Sequence, residues 1–350
     1  MIDHAAVFGQ FKGGVLPADG LIYAAWLAVS DFVVDMFHAE NIANWGDWWQ
    51  PVAVEMGNDI NCRLRKGDDM AEKKFFTEVV LLTKSYNLQD FKDWMHWHMD
   101  IIGFQRCHVF DNESSVDIKS ECQKYGDRVT YELVNGWPNQ YDLYNRYINN
   151  ESPAWWVLPI DDDEFLYVSD KYKHNVNRFM LDNAKKHPDW CKVCVGWRNM
   201  FPEKFTEERT NPHMVLNATG WSNEASAIWQ NGNAPIKTFV NTIYQYEWAD
   251  KNKQHRTHNP FVIGKDKPGY TVNGEAILSC KQMSDTKGTE DVILYHYQFK
   301  CNEEWKMKCA KRGSPGAKWF KKNFPEKYSE LYNGKPIHND MRISTLWQMH

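Results

Sequence analysis

The sequence predicts an α/β fold: a mostly parallel sheet with helices on its faces, extended at both ends. Two observations lead there. Between about residues 72 and 160, strand-like and helix-like segments alternate with short connections, the pattern of parallel strands joined by helices. Three of the strand-like runs also stop on polar groups: Thr83-Lys84, Asp111-Asn112 and Asp161-Asp162-Asp163. In such sheets ligands bind just beyond the carboxyl ends of the strands.

The elements follow in order. "GLIYAAWLAVSDFVVDMF" is broken by Asp31 and Asp35, so it reads as a buried amphipathic helix rather than a leader or a membrane span. In "PVAVEMGNDINCRLRK", alternating Val52, Val54, Met56 and Ile60, Cys62, Leu64 flank Gly57-Asn58-Asp59, which predicts a hairpin. "FFTEVVLLTK" is a strand, and "NLQDFKDWMHWHMDII" has helical spacing and stops at Gly103. "FQRCHVFDN" is a strand. "SSVDIKSECQKYG" is a helix opened by Ser and closed by Gly126. "RVTYELV" is a strand, "QYDLYNRYINN" a helix, and "AWWVLPI" and "WCKVCVGW" are buried strands. The expected organisation is an N-terminal helix and hairpin (1–70), a central domain (71–300, with halves 71–170 and 171–300) and a helical C-terminal extension (301–350).

Composition excludes some functions. The 350 residues carry a net charge of −5 and no basic tract, which argues against a nucleic-acid partner. Among eight cysteines the one short pair is Cys191-x-x-Cys194, without a second pair to complete a zinc ribbon, so reduced core thiols are expected. Seventeen tryptophans point weakly toward stacking on sugar rings or bases, or simply toward an aromatic-rich core.

The chemistry concentrates in "WWVLPIDDDEFLYV", residues 155–168, where Asp161, Asp162, Asp163 and Glu164 interrupt an apolar run. Adjacent carboxylates raise one another's pKa and call for a counter-charge. A divalent cation is the simplest one, and oxygen ligands suit Mg²⁺ or Mn²⁺ carrying substrate phosphates. On a continued strand Asp161 and Asp163 would share one face while Asp162 faces away. A calcium loop lacks its required glycine; a solvated acidic turn and a paired-carboxylate glycosidase are the other readings.

"LLTKSYNLQDFKDWMHWHMDIIGFQRCHVFDNESS" followed by "WWVLPIDDDEFLYV" resembles the metal-dependent glycosyltransferases of the GT-A fold, in particular the family 92-like group and its family 2 relatives. "IKTFV" (236–240), "THNP" (257–260), "LYHYQFKCNEEW" (294–305) and "KRG" (311–313) look like that group's C-terminal half, so the likeness spans roughly residues 75–315. It implies a GT-A-type, Rossmann-like sheet. It also implies an enzyme that moves a sugar from a UDP- or GDP-sugar to a glycan or other hydroxyl acceptor; inversion, the expected course, needs a general base, whereas retention would need none.

The resemblance implies roles for residues. Asp163 and His296 would hold Mn²⁺ or Mg²⁺, and Asp161 would contact the metal or the donor's ribose. Lys84, Asp111, Asn112, Gln140, Asp162 and Lys300 fall with the nucleotide-sugar contacts, with Asn145 and Arg312 as further candidates. Lys84 is followed by Ser85-Tyr86 where the group has Asn-Glu. Glu224, or else Glu208 beside Arg209, would be the general base, with Trp221 stacking on the acceptor. For Asp111-Asn112 a turn cap, and for His296 a packed core histidine, are the structural alternatives.

Two rival functions are a carbohydrate-binding module of the same fold and a sugar nucleotidyltransferase, the latter lacking a Gly-rich phosphate loop. Without a membrane span, the chain is expected in the cytoplasm, as a bacterial or virus-encoded enzyme or an excised domain.

Overall fold

A computed structural model describes residues 73–136, 140–202, 206–218, 220–221, 236–248, 258–264, 267–277, 291–297, 300–301, 303–304, 307, 338–339 and 342–350. The expected N-terminal helix and hairpin lie outside these residues, as do Glu224 and Arg312. The chain divides into two compact units, Met1–Lys74 with Lys185–Pro188, and Phe75–Ala184 with Asp189–His350. The second carries the sheet.

The first elements are β1 (Phe75–Thr83), α1 (Leu88–His96), β2 (Arg106–Asp111), α2 (Ile118–Gln123), β3 (Val129–Leu133), α3 (Gln140–Arg146) and β4 (Ala154–Ile160). They alternate as the periodicity predicts. The chain continues through β5 (Glu164–Val168), α4 (Val176–Lys186), β6 (Lys192–Phe201), α5 (Met214–Asn217), β7 (Gly220–Trp221) and β8 (Ile236–Asn241). Short strands β9 (Tyr246–Glu247), β10 (Phe261–Val262), β11 (Gly269–Thr271) and β12 (Ala276–Ile277) follow, then β13 (Val292–His296), β14 (His338–Asn339) and α6 (Arg342–Gln348).

The main sheet runs β12-β11-β6-β8-β4-β1-β2-β3, a Rossmann-like α/β architecture. β3, β2, β1 and β4 are parallel, with Thr83 level with Asp111 and Leu81 level with Ile160. Their carboxyl ends therefore form one edge. β8 is antiparallel to β4, pairing Val157 with Val240, so three residues further on Lys237 comes level with Ile160, just before the acids. After the acids the chain doubles back as β5, which pairs antiparallel with β13 and sets Glu164 beside His296.

Helices cover both faces of the sheet. Val80, Val157 and Val240 pack with Tyr144 of α3 and Tyr147 just beyond it, and with Trp248. Phe239, on the opposite side of its strand, meets Phe104 and Phe179 of α4 at ring distances of 6.3 and 6.2 Å. Cys107, Cys122, Cys191, Cys194 and Cys301 are free and buried. Among the described residues no helix is long and apolar enough to cross a membrane.

Two local details depart from expectation. α2 is opened by Asp117, whose carboxylate accepts from the Ser120 amide, rather than by a serine. The predicted helices after Asn87 and Gln140 each finish in a π-helical turn, Trp97–Ile101 and Tyr147–Glu151.

The turn that ends the first of these needs Gly103. Its φ is +78°, and a Cβ would sit 2.8 Å from Asn175 Nδ2, while Asn175 Oδ1 accepts from the Asn177 and Arg178 amides at the start of α4. Gly103→Ala is expected to cost about 1–3 kcal/mol, a Tm loss of roughly 1–4 °C. An unchanged Tm in a thermal melt would contradict this.

Candidate active site

Residues 161–163 form a turn, not a continued strand, so the alternation expected for Asp161 and Asp163 does not arise. The Glu164 amide donates to Asp161 O at 3.1 Å, and the Asp161 amide donates to Glu164 Oε2 at 2.8 Å. Each acid then goes to a different element. Asp162 accepts from the Thr83 hydroxyl at 2.6 Å, tying the turn to the end of β1. Asp163 lies 3.3 Å from His296 Nε2, on β13. Asp161 and Glu164 share one lysine.

That lysine is Lys237, on β8. Its Nζ is 3.0 Å from Asp161 Oδ2 and 3.2 Å from Glu164 Oε2. Its side chain is 2% exposed, against 39% for Asp161, so the ammonium sits inside and Asp161 faces outward from it. Burial alone would push the Lys237 pKa down, but the carboxylates of Asp161 and Glu164 outweigh burial and raise it. Asp161 responds in the opposite sense: Lys237 overcomes its burial and holds its pKa low. Fully buried Glu164 is held well above the usual carboxylate range by burial, which Lys237 offsets only in part. The two acids are therefore shifted in opposite directions, Asp161 down and Glu164 up. The counter-charge that the acidic run demands is a residue of the chain.

The turn is also held from behind by α1, where Asn87 caps the start and Phe91, Trp94 and Met95 face inward. Trp94 Nε1 donates to the Asp161 and Glu164 carbonyls at 3.1 and 3.0 Å, and Trp97 Nε1 donates to Leu166 O at 2.7 Å. His98 Nδ1 lies 2.9 Å from Trp94 O, which can only accept, so Nδ1 carries the proton. Its Nε2 then accepts from the Leu166 amide at 3.2 Å. Burial keeps this imidazole neutral, its pKa lowered to about 3. The tryptophans and histidine of the sequence motif thus hold backbone, not ligand.

Around Asp163 and His296 the lining is aromatic. Trp197 on β6 lies 4.3 Å from the His296 ring and 5.1 Å from that of His258, with Lys237 Nζ 5.8 Å from its own ring centre. Its buried Nε1 has no hydrogen-bond partner. His258 Nδ1 is 2.8 Å from Ile236 O, and burial followed by the charge of Lys237 lowers its pKa to about 4.

Among the described residues no group of three His, Cys, Asp or Glu side chains converges as a metal cluster. Asp163 and His296 nonetheless offer one carboxylate and one imidazole from separate strands. That donor set fits a cation that keeps waters and takes phosphate oxygens for its remaining positions. Asp161, engaged by Lys237, is not part of it.

The other sequence candidates are placed as follows. Asp111 accepts from the Ser114 amide at 2.8 Å and the Tyr131 hydroxyl at 2.7 Å, so one oxygen serves the turn and the other ties it to β3. Asn112 bridges to Thr83 O through its amide at 2.7 Å, while its buried Oδ1 has no partner. Lys84 forms an exposed pair with Glu113 at 3.9 Å, of little energetic weight. Gln140 donates to the Tyr144 hydroxyl at 2.9 Å, and Asn145 accepts from the Trp248 amide at 3.1 Å. Lys300 donates to Asp90 at 3.0 Å, within a network where Arg209 forks onto Asp90 and Glu304. Exposed Glu208 directly precedes Arg209 in the chain. Trp221 belongs to β7.

Lys237 and Trp94 are the functional residues that sequence reasoning did not single out. For Lys237 the signal was present: a lysine inside "IKTFV", otherwise a buried strand, is as anomalous as four acids after one.

Neutral His98 makes stability depend on pH. Between its unfolded pKa of 6.5 and its folded value of about 3, the unfolded chain binds a proton that the folded one refuses. Its contribution is complete above pH 6.5 and is lost as pH falls, by about 1.4 kcal/mol per pH unit. His98→Gln, which keeps an acceptor for the Leu166 amide, is expected to lose about 2 kcal/mol less between pH 7 and pH 5 in denaturant titrations. Equal slopes would refute the assignment.

No protein-family model matches the chain, and no curated protein sequence does. Solved structures resemble parts of it. A 4-diphosphocytidyl-2C-methyl-D-erythritolsynthase from Anaerococcus prevotii DSM 20548 has a TM-score of 0.27 and 9% identity, over 48% of this chain and 71% of that one. S. aureus TarS has a TM-score of 0.26 and 13% identity, over 41% of this chain and 26% of its own. TarS 1–349 gives 0.27 and 13%, over 48% and 47%. At such scores these likenesses carry no argument; fold and site rest on the geometry above.

Proposed function

We propose that this chain is a glycosyltransferase of the cytoplasm, moving a sugar with inversion from a UDP- or GDP-sugar to a hydroxyl of a glycan acceptor. The observation that carries this reading is the meeting of Asp163 and His296, 3.3 Å apart, on the edge where β1, β2 and β4 end. That edge is where open α/β sheets bind nucleotides. Mn²⁺ or Mg²⁺ held by Asp163 and His296 would supply Lewis-acid stabilisation of the departing diphosphate.

The remaining roles belong to the chain's own groups. The unpartnered Asn112 Oδ1 offers an acceptor to a base N–H, on a loop that Asp111, Ser114 and Ser85 lace together. Lys300, now on Asp90, is a cation for the diphosphate, with Lys84 and Gln140 at the rim. Inversion requires a carboxylate to take the acceptor hydroxyl's proton as the bond to the sugar forms, for which Glu224 and Glu208 remain the candidates, with Trp221 the candidate for stacking on the acceptor.

A thermal-shift panel of UDP, GDP, CDP and dTDP, each with Mn²⁺ or with EDTA, tests the reading on wild type and Asp163→Ala. At about 100 times the dissociation constant the matching nucleotide should stabilise by about 2.7 kcal/mol, a rise of roughly 3–4 °C. The rise should vanish with EDTA and in the variant. No shift with any nucleotide would overturn the proposal and leave the sugar-binding module.

A further inference from the structure

The acidic run asks for a cation, and the fold already places one in it. Lys237 Nζ lies between two carboxylates, 3.0 Å from Asp161 and 3.2 Å from Glu164, with the Trp197 ring 5.8 Å from it. The ammonium comes from another strand, 76 residues from Asp161 in sequence. Its side chain has almost no solvent contact, and neither has that of Glu164. A surface pair of this kind would be incidental; a buried one-lysine, two-carboxylate cluster fixes geometry, because removing one member strands the others without compensation.

We propose that Lys237 is a positioning residue that does the work of a resident cation: it holds the acidic turn in its ligand-ready shape before any metal or nucleotide arrives, and it withholds Asp161 from metal ligation. The inference rests on the glycosyltransferase reading only for what the turn is ready to bind; the cluster itself is independent of it.

Three features support the assignment. The two acids that Lys237 holds bracket the turn, at its first residue and just after its last, so their common partner sets its width. Asp163, between them, meets His296 of another strand at 3.3 Å, a carboxylate and an imidazole of the kinds that suit a cation. The backbone of the same turn is pinned by Trp94 at the carbonyls of those same two residues, Asp161 and Glu164. Side-chain and backbone clamps thus act on the same pair from opposite partners.

The test uses the full chain with Mn²⁺ or EDTA and no nucleotide, so that its outcome is separable from that of the nucleotide panel. Lys237→Met in EDTA should lose roughly 4–7 °C in Tm, the scale expected when a buried ion cluster loses one partner. Mn²⁺ should recover at least about half of that loss, since Asp161 and Glu164 then need a cation and can take one. The wild type's own response to Mn²⁺ should be smaller, and Lys237→Arg should restore most of the stability in EDTA. A merely structural lysine would give the loss without the Mn²⁺-specific recovery. Should the single variant fail to fold, Lys237→Met with Asp161→Asn and Glu164→Gln removes the demand for a counter-ion and should fold with no Mn²⁺ response beyond the wild type's. The proposal is overturned if Lys237→Met matches wild type in EDTA, if Mn²⁺ stabilises it no more than wild type, or if the triple variant is as damaged as the single one.

Discussion

The contact on which the rest of this structure depends is the ammonium of Lys237 between Asp161 and Glu164. Four consecutive acids cannot sit at the end of a buried strand without compensation. Because β8 runs against β4, its first residues arrive where the last residues of β4 leave, and a lysine there can reach the turn. The antiparallel β8, set directly beside β4, is thus what makes the acidic edge tenable. One ammonium serves two carboxylates, and their surroundings separate them: burial pushes the Glu164 pKa up, while Lys237 holds that of Asp161 low.

A second constraint works on the backbone. Two indoles and one neutral imidazole, from α1 and the π-helical turn that follows it, hydrogen-bond carbonyls and an amide of the turn and of β5. The cost is a histidine that must stay unprotonated. The gain is a turn fixed from both sides, in which Asp162 is tied to β1, Asp161 to β8 and Asp163 to β13. Three acids adjacent in sequence are distributed over three strands, and only the last is paired with a group that also suits a metal.

Much of the first half was legible in the sequence because it is governed by local periodicity: β1, β2, β3 and β4 fall where the alternation puts them, and Gly103 ends its helix for the reason any left-handed residue does. The importance of residues 161–164 was legible too, from charge after an apolar run. What fills that charge was not, because Lys237 and Asp161 are brought together by strand order, which no local pattern encodes. The tryptophans of α1 were visible as a composition, but a donor aimed at a carbonyl about 70 residues away leaves no trace in spacing. The expected sharing of Asp161 and Asp163 failed for a related reason: the alternation rule holds on a strand, and the chain leaves the strand at Ile160. Asp111, read as a ligand or a turn cap, spends one oxygen on its own turn and the other on Tyr131 of β3, while its neighbour Asn112 keeps a buried oxygen unsatisfied.

The central claim is that the turn divides its acids, Asp161 to the protein's own lysine and Asp163 to an incoming cation. Mn²⁺ binding followed by electron paramagnetic resonance in wild type, Asp161→Asn and Asp163→Asn tests that division most directly. The account predicts that Asp163→Asn weakens Mn²⁺ by at least about tenfold while Asp161→Asn leaves it within about threefold of wild type. Equal losses in the two variants, or a greater loss from Asp161→Asn, would contradict it.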